Sequence, residues 1–542
     1  MTSGIERIMN TELTRRHLAR IIGATGAAAL LGTSGDIAEA APTTLQGADR
    51  PSLSIGISLV STSTDPGQGA FYNGVGKRAI WSYFDPLIDR AWLTGDPVGS
   101  GVGLEPAIAE SWQSIDDVTF ELKLRKDVKF HDGSGLTAAD VKYSVERFLG
   151  DSVDEMLAPY ATATRNVYKR VDIVDDYTVR LVTNAPDPAL PLRLFNLYVV
   201  SKAAVESMGL EAYGQKAIGT GPYKVAEFVP NSKLRLEAFD DYYGGPPPFS
   251  EITFTAIPEI ATRIAGLQSG ELDFVIDVPP DQVSSIESSG AAHVVSSDSL
   301  VIHWFFYNAA QPALADKRVR QALDMAIDRN LLAQSLWGGN ATVLNSFQVA
   351  QWGAMYNPDR PANEFNPDKA RQLLQEAGYD GTELTIKLPD HYYTLGNEAG
   401  EAVVQMWQDV GVKASVNAVD PASSVDDTAS ILVNMSSAGM WDDPELVVVP
   451  NLNDTGTLRT NGWWTPEDPE TLDANLDVVA TSTDIPTRFA ALQAVLDVFD
   501  DEVPNSILYS TYQFIGIRNG IEWTPYQTFY LDFRSRNVKI DG

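Results

Sequence analysis

"GLEPAIAESWQSIDDVTFELKLRKDVKFHDGSGLTAADVKYSVERF" occupies residues 103–148 of a 542-residue chain. Val118, Phe120, Leu122 and Leu124 alternate with polar residues, the period of a half-buried strand. Lys126-Asp127 then predicts the turn of a hairpin. His131 and Asp132 follow on a glycine-rich turn. Thr137, with Asp140 three residues on, is a capping-box-like helix start, and Val141, Val145 and Phe148 share one helical face. His131 beside Asp132 raises the question of an imidazole oriented by a carboxylate. Sequence neighbours rarely face one another, however, and turn and cap chemistry account for the whole stretch. It reads as scaffold.

Beyond this stretch, the length predicts two or three domains or lobes. With 44% hydrophobic and 21% charged residues, the composition is that of a globular protein. A formal net charge of −32 argues against nucleic acid and anionic membrane surfaces, whose charges it would repel. "TRRHLARIIGATGAAALLG" (14–32) places Arg15 and Arg16 before an apolar run too short to span a bilayer, and Ala38-Glu39-Ala40 offers a cleavage site. Residues 1–40 are therefore expected to be an export signal of twin-arginine type, followed by a linker at 41–50. The sequence has 0 cysteines, so no disulfide and no acylation site for a lipoprotein. A free periplasmic protein is the expected outcome.

"SLSIGISL" (52–59), "KLRLEAF" (233–239), "EITFTAI" (251–257), "LDFVIDV" (272–278) and "ELTIKL" (383–388) read as strands. "DKRVRQALDMAIDRNLLAQSL" (316–336) reads as one helix with Val319, Ala322, Leu323, Ala326, Ile327 and Leu331 on its apolar stripe. "NPDKARQLLQEAGY" (366–379) has Asn366 as N-cap, Pro367 at the first helical position and Gly378 as the stop. "PTRFAALQAVLDVFDDEVP" (486–504) repeats the pattern with Phe489, Leu492, Leu496 and Phe499. The glycine-rich "GVGLEP" (101–106) and "GTGPYK" (219–224) match neither a Walker A loop nor a G-x-G-x-x-G turn. There is no G-x-S-x-G elbow, no thiol and no H-E-x-x-H, and the histidines have no metal-ligand spacing. No cofactor and no metal are expected, and the chain does not read as an enzyme.

The 103–148 stretch resembles the signature region of the periplasmic solute-binding proteins of the peptide/nickel class, family 5, which serve ABC importers. "IGTGPYKVAEFVPNSKLRLEAFDDYYGGPPPFSEITF" (218–254), "RIAGLQSGELDFVIDVPPDQV" (263–283) and "YNAAQPALADKRVRQALDMAIDRNLL" (307–332) resemble further blocks of that family in order. "NPDKARQLLQEAGYDGTELTI" (366–386) and "MWQDVGVKASV" (406–416) complete the series. The resemblance implies an α/β fold, a two-lobed clamshell of class II type with an extra subdomain in the N-terminal lobe. Its boundaries are expected at 51–82, 217–306 and 507–542 for lobe I, 83–216 for the subdomain and 307–506 for lobe II. It also implies a monomer that is not membrane-embedded, with an ABC permease and ATPase subunits as partners. A chemoreceptor partner is compatible with that role.

In dipeptide-type members an Asp before a D-P-[DE] turn holds the ligand's amino group, and an Arg after the "ELTIKL"-like strand takes its carboxylate. Here the first segment, "SSAGMWDDPEL" (436–446), puts Met440 at the acidic position, with Asp442 and Asp443 close by. The second, "LPDHYYTLGNE" (388–398), offers Asp390, His391, Tyr392 and Tyr393 but no Arg. Aromatic rings with polar neighbours are the alternative ligand platform: Trp441, Trp463 and Trp464 beside Asn461, and Trp352. Trp441 and Trp463 are expected in loops facing the cleft, and Asp65, in the loop after the first strand, is a further candidate. An oligopeptide-class solute is the leading expectation, an oligosaccharide or opine-like conjugate the alternative, and a periplasmic hydrolase on the same fold the alternative of another class.

Overall fold

The computed structural model describes residues 50–68, 74–150, 153–390, 392–419, 433–439 and 443–541. A ten-stranded sheet organises them. Ser52–Ile57 pairs in parallel with Glu251–Ala256 and with Phe274–Val275. Lys233–Ala238 and Tyr223–Val229 extend this half antiparallel. In the other half, Leu384–Pro389 lies parallel to Ala414–Val419 and to Val433–Gly439. Two long antiparallel strands, Ala292–Tyr307 and Asn505–Arg518, run through both halves and join them.

The two lobes meet on these long strands. Their ladder shifts register between Asp298 and Val301, where the partner residues are Tyr512 and Thr511. From Val301 to Tyr307 the first long strand also pairs with Val433–Gly439 of the second lobe. The long strands cross from one half of the sheet to the other at 298–301 and 511–512.

Strand alternation sorts side chains onto two faces. Phe305 and Tyr307 enter one core, which also holds Leu267, Ile286, Trp337 and Trp407. Ile302, Trp304 and Phe306 enter another, with Phe347, Trp463, Leu492 and Phe499. A third core packs the first lobe around Ile55, Trp81, Phe254 and Tyr526. Burying a large apolar side chain contributes roughly 1.5–3 kcal/mol, so these three clusters supply the cohesion that disulfides give smaller exported domains.

A separate four-stranded antiparallel sheet lies within the 83–216 segment, formed by Ala109–Asp116, Thr119–Leu124, Tyr168–Asp175 and Thr178–Thr183. Phe120, Leu122 and Leu124 are buried, as the alternation requires. The hairpin turn expected at Lys126-Asp127 is not there. Thr119–Leu124 pairs backward with Ala109–Asp116, so the chain reverses at Asp117-Val118, and its other neighbour is Thr178–Thr183. Register in a sheet is set by long-range partners, which local alternation does not reveal.

The helix at Ala138–Glu146 starts as its cap predicts, with Asp140 Oδ2 accepting from Thr137 N at 3.0 Å. His131 fastens the preceding turn to the 219–221 backbone. Its Nδ1 accepts from Gly219 N (3.2 Å), so Nε2 carries the proton and donates to Gly221 O (3.1 Å). The glycines of "GTGPYK" serve close approach, since a Cβ at Gly219 would sit 1.9 Å from the Tyr83 carbonyl oxygen.

The 316–336 stretch is two helices, Lys317–Met325 and Arg329–Trp337, not one. Asp328 caps the second by accepting from Leu331 N at 2.9 Å, which favours a new start over continuation. Leu331, expected on the buried stripe, is 51% exposed in consequence. Pro367–Ala377 is capped by Asn366 and stopped by Gly378 in the left-handed region (φ 67°).

Candidate functional site: the edge where both lobes end

Strand direction locates the site. Ser52–Ile57 and Phe274–Val275 run toward the crossing, because Phe274 and Val275 face Ile517 and Gly516 in turn. Leu384–Pro389 and Val433–Gly439 also run toward it, since Val433 faces Tyr307 and Gly439 faces Val301. The carboxyl ends of the parallel strands in both lobes therefore converge on the crossing. That is where open α/β sheets place their ligand crevices. The described segments there are 58–68 and 276–279 from the first lobe, and 390, 392–396 and 443–446 from the second.

In the first lobe, Asp65 stands in the expected loop, but it is fully buried and its oxygens are already occupied. Arg147 donates to both, at 2.9 and 3.1 Å, while Gly67 N and Gln68 Nε2 also donate to it. Asp65 therefore ties the loop to the helix-bearing subdomain instead of offering a carboxylate to solvent. Sequence reasoning missed Arg78, which donates to Asp277 Oδ1 at 2.6 Å and Gln513 Oε1 at 3.1 Å and lies 5.0 Å from the Phe529 ring. Asp277 holds this pose with φ 58°, a strained conformation for a residue that is not glycine.

In the second lobe, Asp443 is likewise engaged. Arg488 grips both carboxylate oxygens (2.7 and 3.1 Å), and Glu445 N donates to Oδ1 at 2.9 Å. Both side chains are buried, so Asp443 fixes the 443–446 turn against the Ile485–Glu502 helix and is not a free amino-group anchor. Two residues on, Glu445 forms an ion pair with Arg193, which comes from the first lobe's side of the cleft, and Arg193 Nε also donates to Asp187 at 2.8 Å. "PALPLRLFN" gives no sign that its arginine crosses to the other lobe. The Glu445 carboxyl titrates far above the usual carboxylate range, at about 7, because burial outweighs the nearby Arg193 guanidinium.

Trp463, Trp464 and Trp352 do not stand at this edge, contrary to expectation. Trp463 and Trp464 are each 2% exposed and belong to the second lobe's core. Trp463 O accepts from Ala309 N at 2.6 Å, beyond the end of the long strand that points away from the crossing. Trp464 Nε1 donates to Glu502 at 2.8 Å. Asn461 is an exposed turn residue on the same distal side. With Lys317, Arg318 and Arg320 the two rings line a depression of about 580 Å³, away from the cleft. Flanking Asp, Pro and Gly signalled loops, but the rings fold inward from those loops. Trp352 is buried in the same core at 4% exposure.

Tyr392 and Tyr393 stand on the 390–396 loop at the carboxyl end of Leu384–Pro389. Tyr392 is 49% exposed, and its ring meets Tyr393 edge-on at 4.9 Å. Tyr393 in turn lies 5.3 Å from the buried His303. Asp390 accepts from Asn397 Nδ2 at 2.7 Å, which braces the loop. Trp441, Asp442 and His391 lie outside the described residues. Among the described residues, no cluster of three acidic or histidine side chains has metal-binding geometry, and no helix is long and apolar enough to cross a membrane.

Comparison with known proteins gives this architecture a family. The profile of bacterial extracellular solute-binding proteins, family 5 (middle), matches residues 103–457. The chain belongs to that family, one of binding proteins rather than enzymes. A glutathione-binding protein, GsiB, from Pectobacterium atrosepticum is 31% identical over 325 residues, 58% of this chain and 60% of that protein. The match thus spans about three-fifths of that curated relative's length. The dipeptide-binding protein of Pseudoalteromonas sp. SM9913, in complex with Met-Leu, superposes with a TM-score of 0.78 at 20% identity, covering 90% of this chain and all (100%) of the other. AgaA of A. tumefaciens R10, in complex with agropinic acid, superposes at 0.75 and 23% identity, covering 91% and 99%. These likenesses establish the two-lobed periplasmic-binding-protein fold.

Proposed function

We propose that this chain is the solute-capturing subunit of an ABC importer, which closes its two lobes on an oligopeptide-class solute and delivers it to a permease. The convergence of strand carboxyl ends from both lobes on one crossing carries this reading. A solute lodged there touches both lobes, and only a ligand with contacts to both favours the closed form. The moving units are the lobes expected from the sequence, and the irregular ladder at 298–301 and 511–512 lies close to their boundaries. The similarity to glutathione- and dipeptide-binding proteins supports the peptide class.

A second reading, an oligosaccharide or opine-like solute, is favoured by one observation. Both oxygens of Asp443 are held by Arg488, and the 388–398 sequence has no arginine, so neither segment's described residues offer an anchor of the peptide-terminus kind. The agropinic acid complex of a fold neighbour supports keeping it. Mass spectrometry of the solute released from denatured, natively purified protein decides between the two. A peptide supports the first reading, and a sugar or a sugar–amino acid conjugate supports the second. A protein that never retains or binds a small solute defeats both.

The working site is the periplasm, reached through the twin-arginine signal, with the protein a free monomer and not a lipoprotein. Replacing Arg15 and Arg16 with lysine tests the export route: precursor should accumulate in the cytoplasm. Unimpaired export would remove the twin-arginine assignment.

A further inference from the structure

The pair that joins the lobes has an uneven charge count. Glu445, on the second lobe, meets Arg193 from the other side of the cleft. Asp187 and Asp443 also face it, and so does Arg488; Tyr168 adds a neutral phenol beside Arg193. Arg193 is shared with Asp187, and Arg488 is spent two-handed on Asp443. Three carboxylates thus share two guanidiniums. The side chain of Glu445 is only 10% exposed, and its Oε2 is buried with no hydrogen-bond partner. An ionised carboxylate in that position leaves one negative charge uncompensated away from water, which is costly. Because Arg193 meets Glu445 from the other side of the cleft, parting the lobes would admit water to this carboxylate and lower that cost.

We propose that closure of the two lobes takes up one proton at Glu445, so that acidification tightens the clamshell. The proton comes from solvent and converts the carboxylate to a neutral carboxyl group, which removes the uncompensated buried charge. Arg193 keeps its contact with the other oxygen and with Asp187. The sign follows from linkage: the state that binds the proton more tightly is favoured as pH falls. With Glu445 near its ordinary value of 4.5 when open and at about 7 when closed, the closed-to-open ratio rises about tenfold between pH 8 and pH 6. The inference needs no assignment of the solute, because the proton acts on the lobe contact itself.

The absence of cysteine makes the test direct. Cysteines introduced at the exposed Lys216 and Asp454, one on each side of the cleft, carry spin labels, and the distance between them is measured in the ligand-free protein from pH 8 to pH 5. The closed population should grow with acid in the otherwise native chain. In Glu445→Gln, which stays neutral, it should already be high at pH 8 and should no longer respond. A closed population that is constant or shrinks with acid overturns the proposal. So does a response that persists unchanged in Glu445→Gln, or a chain that stays wholly open at every pH. Melting supplies a second measurement: Glu445→Gln should melt above the native chain at pH 8, with the gap closing toward pH 5. A gap that does not depend on pH counts against proton uptake.

Discussion

Arg488, on the Ile485–Glu502 helix, donates to Asp443 through two nitrogens, at 2.7 and 3.1 Å, with both side chains buried. The pair holds the 443–446 turn at the cleft edge. Removing one partner strands a buried charge, which costs about 3–5 kcal/mol, whereas replacing both with apolar groups of similar size recovers much of that. Asp443→Ala should therefore lower stability by about that amount in urea unfolding, and Asp443→Leu combined with Arg488→Met should restore a large part. Asp443→Asn that kept native stability while abolishing solute binding would return Asp443 to the role of ligand anchor.

Trp463 offers the reverse case, a residue whose loop context suggested binding and whose surroundings are core. Its ring lies 6.1 Å from Phe306 and is 2% exposed. Trp463→Ala should cost about 3–5 kcal/mol of stability, as truncation of a buried aromatic does. Affinity of the folded fraction for the co-purified solute should stay within about twofold. Calorimetric binding at a temperature where the variant remains folded separates the two effects. A tenfold loss of affinity there would put Trp463 back in the site.

What the sequence made legible depended on how local its physics is. The caps at Thr137 and Asn366 and the stop at Gly378 were readable because their chemistry lies within a few residues. The Phe120–Leu124 alternation was readable for the same reason, while the partner strands were not, since pairing is a long-range matter. The site fared worse. Asp65 and Asp443 are acidic and near the right place, yet each is claimed by an arginine far along the chain, Arg147 and Arg488. Arg193 gave no signal at all, because nothing in an apolar run reveals that one side chain crosses to another lobe. Family resemblance carried the architecture, and tertiary contacts reassigned the residues.

Among the described residues, Tyr392 is the sequence-derived candidate left exposed at the cleft edge, with little packing to lose. Tyr392→Ala should change stability by no more than about 0.5 kcal/mol, as for other surface sites. If the ring stacks on solute, affinity should fall by about 1–3 kcal/mol, chiefly through faster dissociation. Stopped-flow release of the co-purified solute reads the dissociation rate. Unchanged release in a stable Tyr392→Ala variant rules out that contact.

His303 sets a limit on acid tolerance that runs opposite to the effect of Glu445. It is 4% exposed on the long strand Ala292–Tyr307, walled by Tyr393, Tyr509 and Trp337, and its Nδ1 has no hydrogen-bond partner. Burial holds the ring neutral and lowers its pKa to about 3. His131, also desolvated, is lowered to about 4. For both, the unfolded chain binds the proton more readily than the folded one. Their stabilising contribution is full above about pH 6.5, where the unfolded histidine is neutral too, and it drains away as pH falls toward 3–4. For His303 the loss amounts to roughly 3–5 kcal/mol by the acid end. Chemical unfolding at pH 7, 5.5 and 4.5 should show native stability falling with acid. His303→Phe, which keeps an uncharged ring, should fall less steeply over the same range. Parallel pH dependence in the two proteins would mean that His303 does not bear that cost.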